Sequence, residues 1–309
     1  MRRTRALLSI LIVLITTMIC YYVLTHYEET VRYTTRLIRK YTKKTVQIPD
    51  TSYYHRTYTF KTVTETDNFK PKNIEDIKMI YYTVLNNGWD SFTFYCDINY
   101  ESCVDDVRIV ADSNSNEYIS LINNYVSPYN SYKKFNTLII GDDEINLSVE
   151  KLYSKDEIER LDKYITNYLD SNNIKKNSIT QKDIEKVHDY LINLVTYDKD
   201  FDKNNISEAT SNKATSALFE KKALCSGYTD ALALFLDKMN IPNFKINTDE
   251  HEWNVIYFDK KWLHIDATWD DDEINKNNNK NFFMVTTKDL LKKDKKEHNF
   301  NEELFLELK

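Results

Sequence analysis

The sequence predicts an α+β fold with one helix ahead of it that is long enough to cross a membrane. Apolar residues recur with a helical period in segments 158–169, 184–195 and 232–239. Segments 134–149 and 251–270 instead show the alternation and short polar turn of β-hairpins. An uncharged, mostly apolar run occupies residues 6–24.

The composition allows a sizeable core and argues against a nucleic-acid partner. The 309 residues suffice for two modest domains or one large one. Tyr and Phe, numbering 23 and 14, supply apolar surface despite the abundant Asn and Lys. Lys and Arg total 42 against 48 Asp and Glu, a formal net charge of −6. Because binding to phosphates needs a basic face, we expect no nucleic-acid partner.

The N-terminal run predicts a transmembrane signal anchor over residues 6–24. A run of about 19 residues reaches ~28 Å as a helix, close to the thickness of the bilayer hydrocarbon. Arg2, Arg3 and Arg5 precede the run. Basic residues on this side favour an N-terminus inside the cell and the rest of the chain outside. Residues 1–5 are then a cytoplasmic tip, and we expect a single-pass protein of the cell membrane.

A cleaved signal peptide is the alternative for the same run. Signal peptidase needs small residues near the cleavage site, but Met18, Ile19 and Tyr21 are bulky. Cys20 suggests a lipoprotein signal, but the bulky residue before it argues against that alternative too. The retained anchor is the favoured interpretation.

The cysteines fit an exported chain. Cys96 and Cys103 bracket a short stretch inside what we predict to be two strands. Outside the cell they would close a disulfide across a hairpin, whereas the alternative is two reduced core cysteines. If they are bonded, Cys225 is left unpaired, and a lone thiol in an exported protein is a candidate for reactivity.

Residues 25–150 carry no recognisable chemistry. We expect 25–70 to be a stalk or linker with one strand in 53–66, and 71–150 to be a small α+β module. In the module, helices are predicted near 74–85 and 118–126, strands at 91–96 and 104–110, and a hairpin that turns at 141–143. Gly88 and Pro128 end the two helices. A spacer or a substrate-recognition module is the expected role.

The catalytic domain is predicted for residues 151–309. Ser154 and Glu157 form a capping box before one helix, and Thr180 caps a second that ends near Tyr197. His188 lies one position beside the apolar stripe of that second helix, so we expect it at the helix surface or boundary.

Cys225 falls at the start of a third helix, whose apolar stripe runs to Met239 before Pro242. Unpaired backbone N–H groups and the positive end of the helix dipole favour a thiolate there, which is a nucleophile. Gly227 would leave room for a substrate. The alternative is an ordinary buried cysteine at a helix start.

Residues 251–270 predict a hairpin that places a histidine beside an aspartate. If Asp259 and Lys260 form a two-residue turn, Trp253 faces Asp266 and His251 faces Thr268. His251 and Asp266 then share one face as diagonal neighbours, whereas a slip of one residue would separate them.

That geometry supplies the partners of a cysteine nucleophile. His251 would take the thiol proton and later protonate the leaving group, while Asp266 would hold the imidazole in the right tautomer. Taken singly, the two residues are also compatible with a core histidine and a capping carboxylate. A metal site from Cys225, His251, His264 and Asp266 is conceivable but lacks paired-ligand spacing, so we expect no metal and no cofactor.

Three elements in this order resemble the transglutaminase-like superfamily, including its bacterial members. The family shows V-C-x-G-Y-A, H-A-W-N and D-x-T-W-D, where this chain has L-C-S-G-Y-T from Leu224, H-E-W-N from His251 and D-A-T-W-D from Asp266. The helix before Tyr197 and the closing segment with His298 are similar as well, and the likeness covers a little over a third of the chain. Glu252 replaces the usual alanine and should face away from the side of His251; Leu224 and Thr229 are milder departures.

The resemblance implies a papain-like α+β domain in which a helix carrying Cys225 packs on an antiparallel sheet carrying His251 and Asp266. It implies thiol acyl-transfer chemistry with these three as a catalytic triad. The residues that would support the triad or bind substrate are Gly227, Tyr228, Trp253, Asn254, Thr268 and Trp269. The Cys225 backbone N–H, or the Tyr228 hydroxyl, would stabilise the oxyanion.

The expected function is that of a membrane-anchored, outward-facing thiol enzyme acting on protein or peptide amides, such as those of the cell envelope. Water as acceptor gives a peptidase or deamidase, and a lysine amine gives a cross-linking transglutaminase. The alternative is a non-catalytic binding or scaffolding domain with the same fold at the cell surface.

Overall fold

The computed structural model has an α+β fold with two three-stranded antiparallel sheets and a short parallel strand pair. It describes residues 2–27, 29–31, 34, 44–112, 117–176, 178–201, 210–271 and 280–309. The first helix, α1, spans Arg2–Thr25. Over the described residues, no helix combines the length and the apolar character that a membrane crossing requires. The transmembrane helix predicted for residues 6–24 is therefore not supported by the structure.

Residues 44–70, expected to belong to a stalk, lie against the body of the protein. Phe60, Val63 and Phe69 are buried in its core. The buried Arg56 guanidinium forms an ion pair with Asp237 at 2.9 Å. Residues 53–66 contain no strand, in contrast to the prediction. The alternating sequence pattern arises because this irregular segment buries a side chain every few residues where it lies against the rest of the protein.

The module 71–150 combines three helices with one sheet. Its elements are α2 (Ile74–Asn86), β1 (Ser91–Tyr95), α3 (Cys103–Ala111), α4 (Glu117–Asn124), β2 (Tyr132–Ile140) and β3 (Glu144–Lys151). The Asn73 side chain caps α2, and Gly88 follows its end with a φ of +66°. The sheet order is β1-β3-β2, and the hairpin turns at Gly141 as predicted, with a φ of +61°. Glycine adopts this left-handed conformation without strain.

The segment 104–110 is part of α3 and not the strand that the sequence predicted. Cys103, Val107 and Val110 are the buried residues of α3, and their spacing of three to four is helical. The valines favour a strand locally, but burial of this face decides the structure. A disulfide joins Cys96 to Cys103 and therefore links the end of β1 to the start of α3, not two strands of a hairpin.

The C-terminal region, residues 151–309, packs helices against a second sheet. Its longer elements are α5 (Lys155–Ser171), α6 (Gln181–Leu194), α7 (Cys225–Lys238), β6 (Asn243–Asn247), β7 (Glu252–Phe258) and β8 (Lys261–Ile265). The short strands β4 (Thr196–Tyr197) and β5 (Lys222–Ala223) pair in parallel, and the short helices α8 (Ala267–Asp270) and α9 (Thr287–Lys293) follow β8. The capping box of Ser154 and Glu157 is present at the start of α5, as the sequence predicted.

The hairpin of β7 and β8 has the predicted register. Phe258 pairs with Lys261, and the ladder continues to Asn254 opposite Ile265. Asp259 and Lys260 have φ values of 49° and 63°, as a two-residue type I′ turn requires. The ladder stops there, so Trp253 and Thr268 are not members of it, and Thr268 lies in α8.

Both faces of the β6-β7-β8 sheet are buried. Phe244, Trp253 and Val255 belong to a hydrophobic core shared with the module 71–150. Ile256 and Ile265 belong to the core formed with α5, α6 and α7. The sheet therefore connects the two parts of the chain and holds one end of the hairpin next to the first turn of α7. The predicted boundary at residue 150 stays a prediction.

Candidate active site

Cys225 is the first residue of α7, the position predicted from the sequence. The carbonyl of Leu224 accepts the N–H groups of Gly227 and Tyr228 at 3.0 and 3.2 Å, which starts the helix. The Cys225 thiol is free and partly exposed, whereas the rest of α7 is largely buried. A thiol at the first turn faces backbone N–H groups that have no acceptor within the helix.

Gly227 has a different role from the one expected. A Cβ at this position would lie 2.9 Å from the Ala223 Cβ and 2.9 Å from the Ser211 carbonyl oxygen. Glycine is needed because the first turn of α7 packs directly against the loop before it. The space is filled by the protein, so the expectation that Gly227 makes room for a substrate is wrong.

His251 and Asp266 meet at the open end of the hairpin. The His251 Nε2–H donates to Asp266 Oδ2 at 2.6 Å, and both side chains are buried. Asp266 is also the N-cap of α8: its Oδ1 accepts the N–H groups of Thr268 and Trp269 at 2.9 and 3.1 Å. One carboxylate oxygen is thus held by the backbone while the other faces the imidazole.

The electrostatics favour a charged pair. Burial lowers the pKa of His251, but the Asp266 carboxylate and the neighbouring Cys225 thiol outweigh it and raise the pKa to about 10. Burial raises the pKa of Asp266, but its hydrogen bonds to His251 and His298 hold that pKa well below its usual range. Near neutral pH the imidazole is therefore protonated and the carboxylate ionised, and the imidazole lies within interaction distance of the thiol.

His298 is a second imidazole on the same carboxylate, and the sequence did not identify it as a site residue. Its Nε2 lies 2.9 Å from Asp266 Oδ2, and its Nδ1 lies 2.8 Å from Asp294 Oδ2. The only sequence signal was its place in the closing segment of the family resemblance. Nothing in the spacing along the chain relates it to Asp266, because the chain returns to the hairpin only later: the Phe282 and Val285 carbonyls accept the N–H groups of Asp266 and His264.

His251, Asp266 and His298 lie close enough together to hold a metal ion, whereas the sequence predicted none. The contacts from Asp266 to the two imidazoles, at 2.6 and 2.9 Å, are hydrogen-bond distances. A tetrahedral metal would need ligands at about 2.0–2.2 Å and would displace both N–H protons. The hydrogen-bonded arrangement already satisfies these nitrogens and oxygens.

Tyr197 is a further residue near the thiol that the sequence did not single out. It pairs with Ala223 across the two-stranded parallel ladder, two residues before Cys225. Burial, with a contribution from Cys225, raises the pKa of its hydroxyl to about 12. The phenol therefore keeps its proton and can donate a hydrogen bond near Cys225.

Three of the predicted supporting residues connect α7, the two strands of the hairpin and the end of α8. The Tyr228 hydroxyl is buried and donates to Asp271 at 2.5 Å, so it is not available as an oxyanion donor. The Asn254 amide donates to the Thr229 carbonyl at 3.0 Å. The Trp253 indole N–H donates to His264 Nδ1 at 3.0 Å. These contacts position the site residues.

Thr268 and Trp269, the two predicted supporting residues in α8, differ in their exposure. Thr268 is buried, and its hydroxyl has no hydrogen-bond partner within the described part of the chain. Trp269 is partly exposed and lies edge-on to the His251 ring, with 6.4 Å between ring centroids. Trp269 is thus the member of this pair that shields the imidazole.

Glu252, the departure from the family pattern, forms an ion pair with buried Lys245 at 3.0 Å. Lys245 also pairs with Asp230 on α7 at 2.7 Å. The carboxylate of Glu252 is therefore engaged with β6 and α7, while the neighbouring His251 contacts Asp266. This arrangement agrees with the expectation that the two side chains face different sides.

His188 is fully buried and not at a helix surface. Its ring nitrogens lie 3.3 Å from Asp189 and 3.3 Å from Asp270, the last residue of α8. Burial lowers the pKa of His188, but these two carboxylates raise it above the usual value. The ion pair with Asp270 holds α8, and with it the cap formed by Asp266, against α6.

Comparisons with known proteins give weak structural likenesses. No protein-family model matches the chain, and no curated protein does either. A solved structure of a TGase has 16% sequence identity and a TM-score of 0.33 over 45% of this chain and 44% of that one. A proposed cysteine protease from Cytophaga hutchinsonii has 13% identity and a TM-score of 0.27 over 44% of this chain and 61% of that one. The chain thus matches less than two thirds of the length of either protein.

Proposed function

We propose that this chain is a transglutaminase-like thiol enzyme that acts by acyl transfer on protein or peptide amides, with Cys225 as the nucleophile. The observation that carries the proposal is the position of His251, whose imidazole interacts with the Cys225 thiol and is hydrogen-bonded to Asp266. A thiol at a helix start next to a charged imidazole is the arrangement that activates a cysteine.

The reaction proceeds in two steps. The Cys225 sulfur bonds to the amide carbonyl carbon, and the C–N bond breaks as His251 gives its proton to the departing nitrogen. A thioester on Cys225 results. Water or a primary amine then attacks the thioester, His251 takes the proton of the attacking group, and the thiolate leaves. Asp266 keeps the imidazole oriented and stabilises its positive charge through both steps.

Two donors are available for the oxyanion. The Cys225 backbone N–H belongs to the first turn of α7, where no acceptor exists within the helix. The Tyr197 hydroxyl, whose pKa of about 12 keeps it protonated, is the second. Tyr197 takes the place of Tyr228, the alternative donor expected from the sequence, whose hydroxyl donates to Asp271. Donors aimed at the developing negative charge lower the barrier because they are already in place.

The proposed location is outside the cytoplasm, with the N-terminus inside and residues 6–24 as the attachment to the cell membrane. The disulfide between Cys96 and Cys103 supports an oxidising compartment, since such bonds persist there and are rare in the cytosol. Treating intact cells with a protease tests the location. Cleavage of the C-terminal region is expected, and full protection would contradict it.

Alkylation of the native protein tests the enzyme proposal. Iodoacetamide near neutral pH is expected to modify Cys225 in folded protein, as read by peptide mass spectrometry, with the same protein alkylated after denaturation as the reference. Profiling of glutamine peptides with and without amine donors, on wild type and Cys225→Ala, then separates hydrolysis from cross-linking. Modification of Cys225 only after denaturation, with no substrate turned over, would favour the non-catalytic binding domain instead.

A further inference from the structure

His298 lies between two carboxylates in the interior of the protein. Its Nε2 is 2.9 Å from Asp266 Oδ2, its Nδ1 is 2.8 Å from Asp294 Oδ2, and its side chain is fully buried. Ionised carboxylates only accept hydrogen bonds. Both ring nitrogens of His298 must therefore donate if both carboxylates are ionised, which makes the ring a cation.

Both carboxylates are ionised near neutral pH. The pKa of Asp266 is held well below its usual range despite burial. Burial raises the pKa of Asp294, but the hydrogen bond from His298 and the N–H groups of Glu297 and Lys296 lower it overall. The Asp294 side chain is also partly exposed, which reduces the cost of its charge. These contacts wind the chain into a turn that presents His298 to Asp266.

Aromatic rings confine the His298 imidazole on its remaining sides. Phe282 stacks on it with 5.1 Å between centroids and 12° between planes, and Trp253 and Trp269 lie at 4.9 and 5.5 Å. Ring faces attract a cation by their quadrupole, more strongly where water is excluded. The surroundings thus favour a charged ring in one orientation.

The neighbouring His264 has hydrogen bonds that favour a neutral ring, in contrast to His298. His264 is equally buried, but its Nδ1 accepts the Trp253 N–H, and its Nε2 lies 3.0 Å from the Thr287 hydroxyl. Burial and the charge of His298 lower the pKa of His264 to about 3. A ring that accepts a hydrogen bond at one nitrogen is neutral, so His264 is a neutral structural residue beside a charged His298.

We propose that His298, kept charged by Asp294, is a positioning residue that fixes Asp266 and offsets part of its charge at the candidate catalytic His251. The two imidazoles share Asp266 Oδ2, and their ring centroids are 5.2 Å apart. The second cation lowers the proton affinity of His251, because like charges at this distance disfavour each other. His251 can then release its proton to the leaving group. The inference deepens the proposed function and rests on it.

Among the described residues, other titratable groups near His251 and His298 include Tyr197 on β4, Cys225 on α7, His264 on β8 and Asp294 directly after α9. Cys225 and the shared Asp266 act on His251 in every variant described next, and Tyr197 keeps its proton near neutral pH. His264 is neutral over the working range, so it adds no charge change. The difference between variants therefore reports His298 and its partner Asp294.

Nuclear magnetic resonance of the full chain labelled with ¹⁵N-histidine tests the proposal without any reaction. His298 is expected to show two protonated ring nitrogens at pH 7. In His298→Gln, His251 is expected to titrate at a pH higher by roughly 1 unit. Asp294→Asn should move it in the same direction but less, because a negative charge is lost along with the cation.

His264→Gln is the matched control. It removes a buried imidazole that carries no charge, so it is expected to lower stability and leave the His251 titration in place. A His298 ring with one protonated nitrogen in wild type would overturn the proposal, whether or not the variants fold. An unchanged His251 titration in folded His298→Gln would do the same. Failure of Cys225 to react with iodoacetamide would instead contradict the proposed enzyme function. The histidine titrations do not depend on that reaction, so the two failures can be distinguished.

Discussion

The substitution Asp266→Asn isolates the charge of Asp266 from its role as a helix cap. The pKa of His251 stands at about 10 against an ordinary value of 6.5. At about 1.36 kcal/mol per unit, this difference of roughly 3.5 units corresponds to ~5 kcal/mol in favour of the charged imidazole. Asparagine keeps an oxygen that can accept the N–H groups of Thr268 and Trp269, so the cap of α8 remains.

The expected result is a folded protein with a less reactive thiol. Without the carboxylate, the imidazolium that pairs with the Cys225 thiolate is less favoured. The rate of Cys225 alkylation at pH 7, measured by peptide mass spectrometry over time, should fall by roughly 10- to 30-fold, because an ordinary thiol is still a few per cent thiolate at this pH. Asp266→Ala is the comparison, because it removes the cap as well and should cost about 1 kcal/mol more in unfolding free energy. A rate within about threefold of wild type in folded Asp266→Asn would refute the reasoning.

Three more predictions concern stability and follow from the packing and charges. Gly227→Ala should lower the free energy of unfolding by about 1–3 kcal/mol in urea titrations, because its Cβ would lie 2.9 Å from that of Ala223; an unchanged midpoint would contradict it. Arg56→Ala should lower the free energy of unfolding by roughly 3 kcal/mol in the same assay, because it leaves the Asp237 carboxylate without its buried partner. A loss below about 0.5 kcal/mol would contradict this and would mean that residues 44–70 are only loosely attached. The raised pKa of His251 stabilises the fold fully below pH about 6.5, and this contribution is lost as pH rises toward 10. The difference in free energy of unfolding between wild type and His251→Gln should therefore shrink from pH 6 to pH 10. A difference that grows over this range would contradict the prediction.

Local patterns predicted much of the hairpin and the Cys225 helix. The turn at Asp259 and Lys260 sets the register of β7 and β8, because alternation in a strand has a period of two and a slip would expose the core face. The apolar stripe before Pro242 placed the start of α7 at Cys225. The capping box at Ser154 needs only residues within one turn. Each of these features depends on neighbours in the chain.

Features that depend on distant residues were missed or misread. The segment 104–110 has the β-branched residues of a strand, but burial of Cys103, Val107 and Val110 against the module makes it helical. Gly227 was read as space for a substrate, but the loop before α7 occupies that space. Residues 44–70 look like a linker because their partners, among them Asp237, lie far along the chain.

The sequence by itself determined where Cys225, His251 and Asp266 lie on their own elements, because caps, turns and periodicity act over a few residues. Only the tertiary structure decided what surrounds them. It brings His298 and Asp294 onto Asp266, and Tyr197 toward Cys225, through the folding of separate segments over the hairpin. Burial then sets the charge of each group, since the cost of an ion in the interior depends on all its neighbours at once.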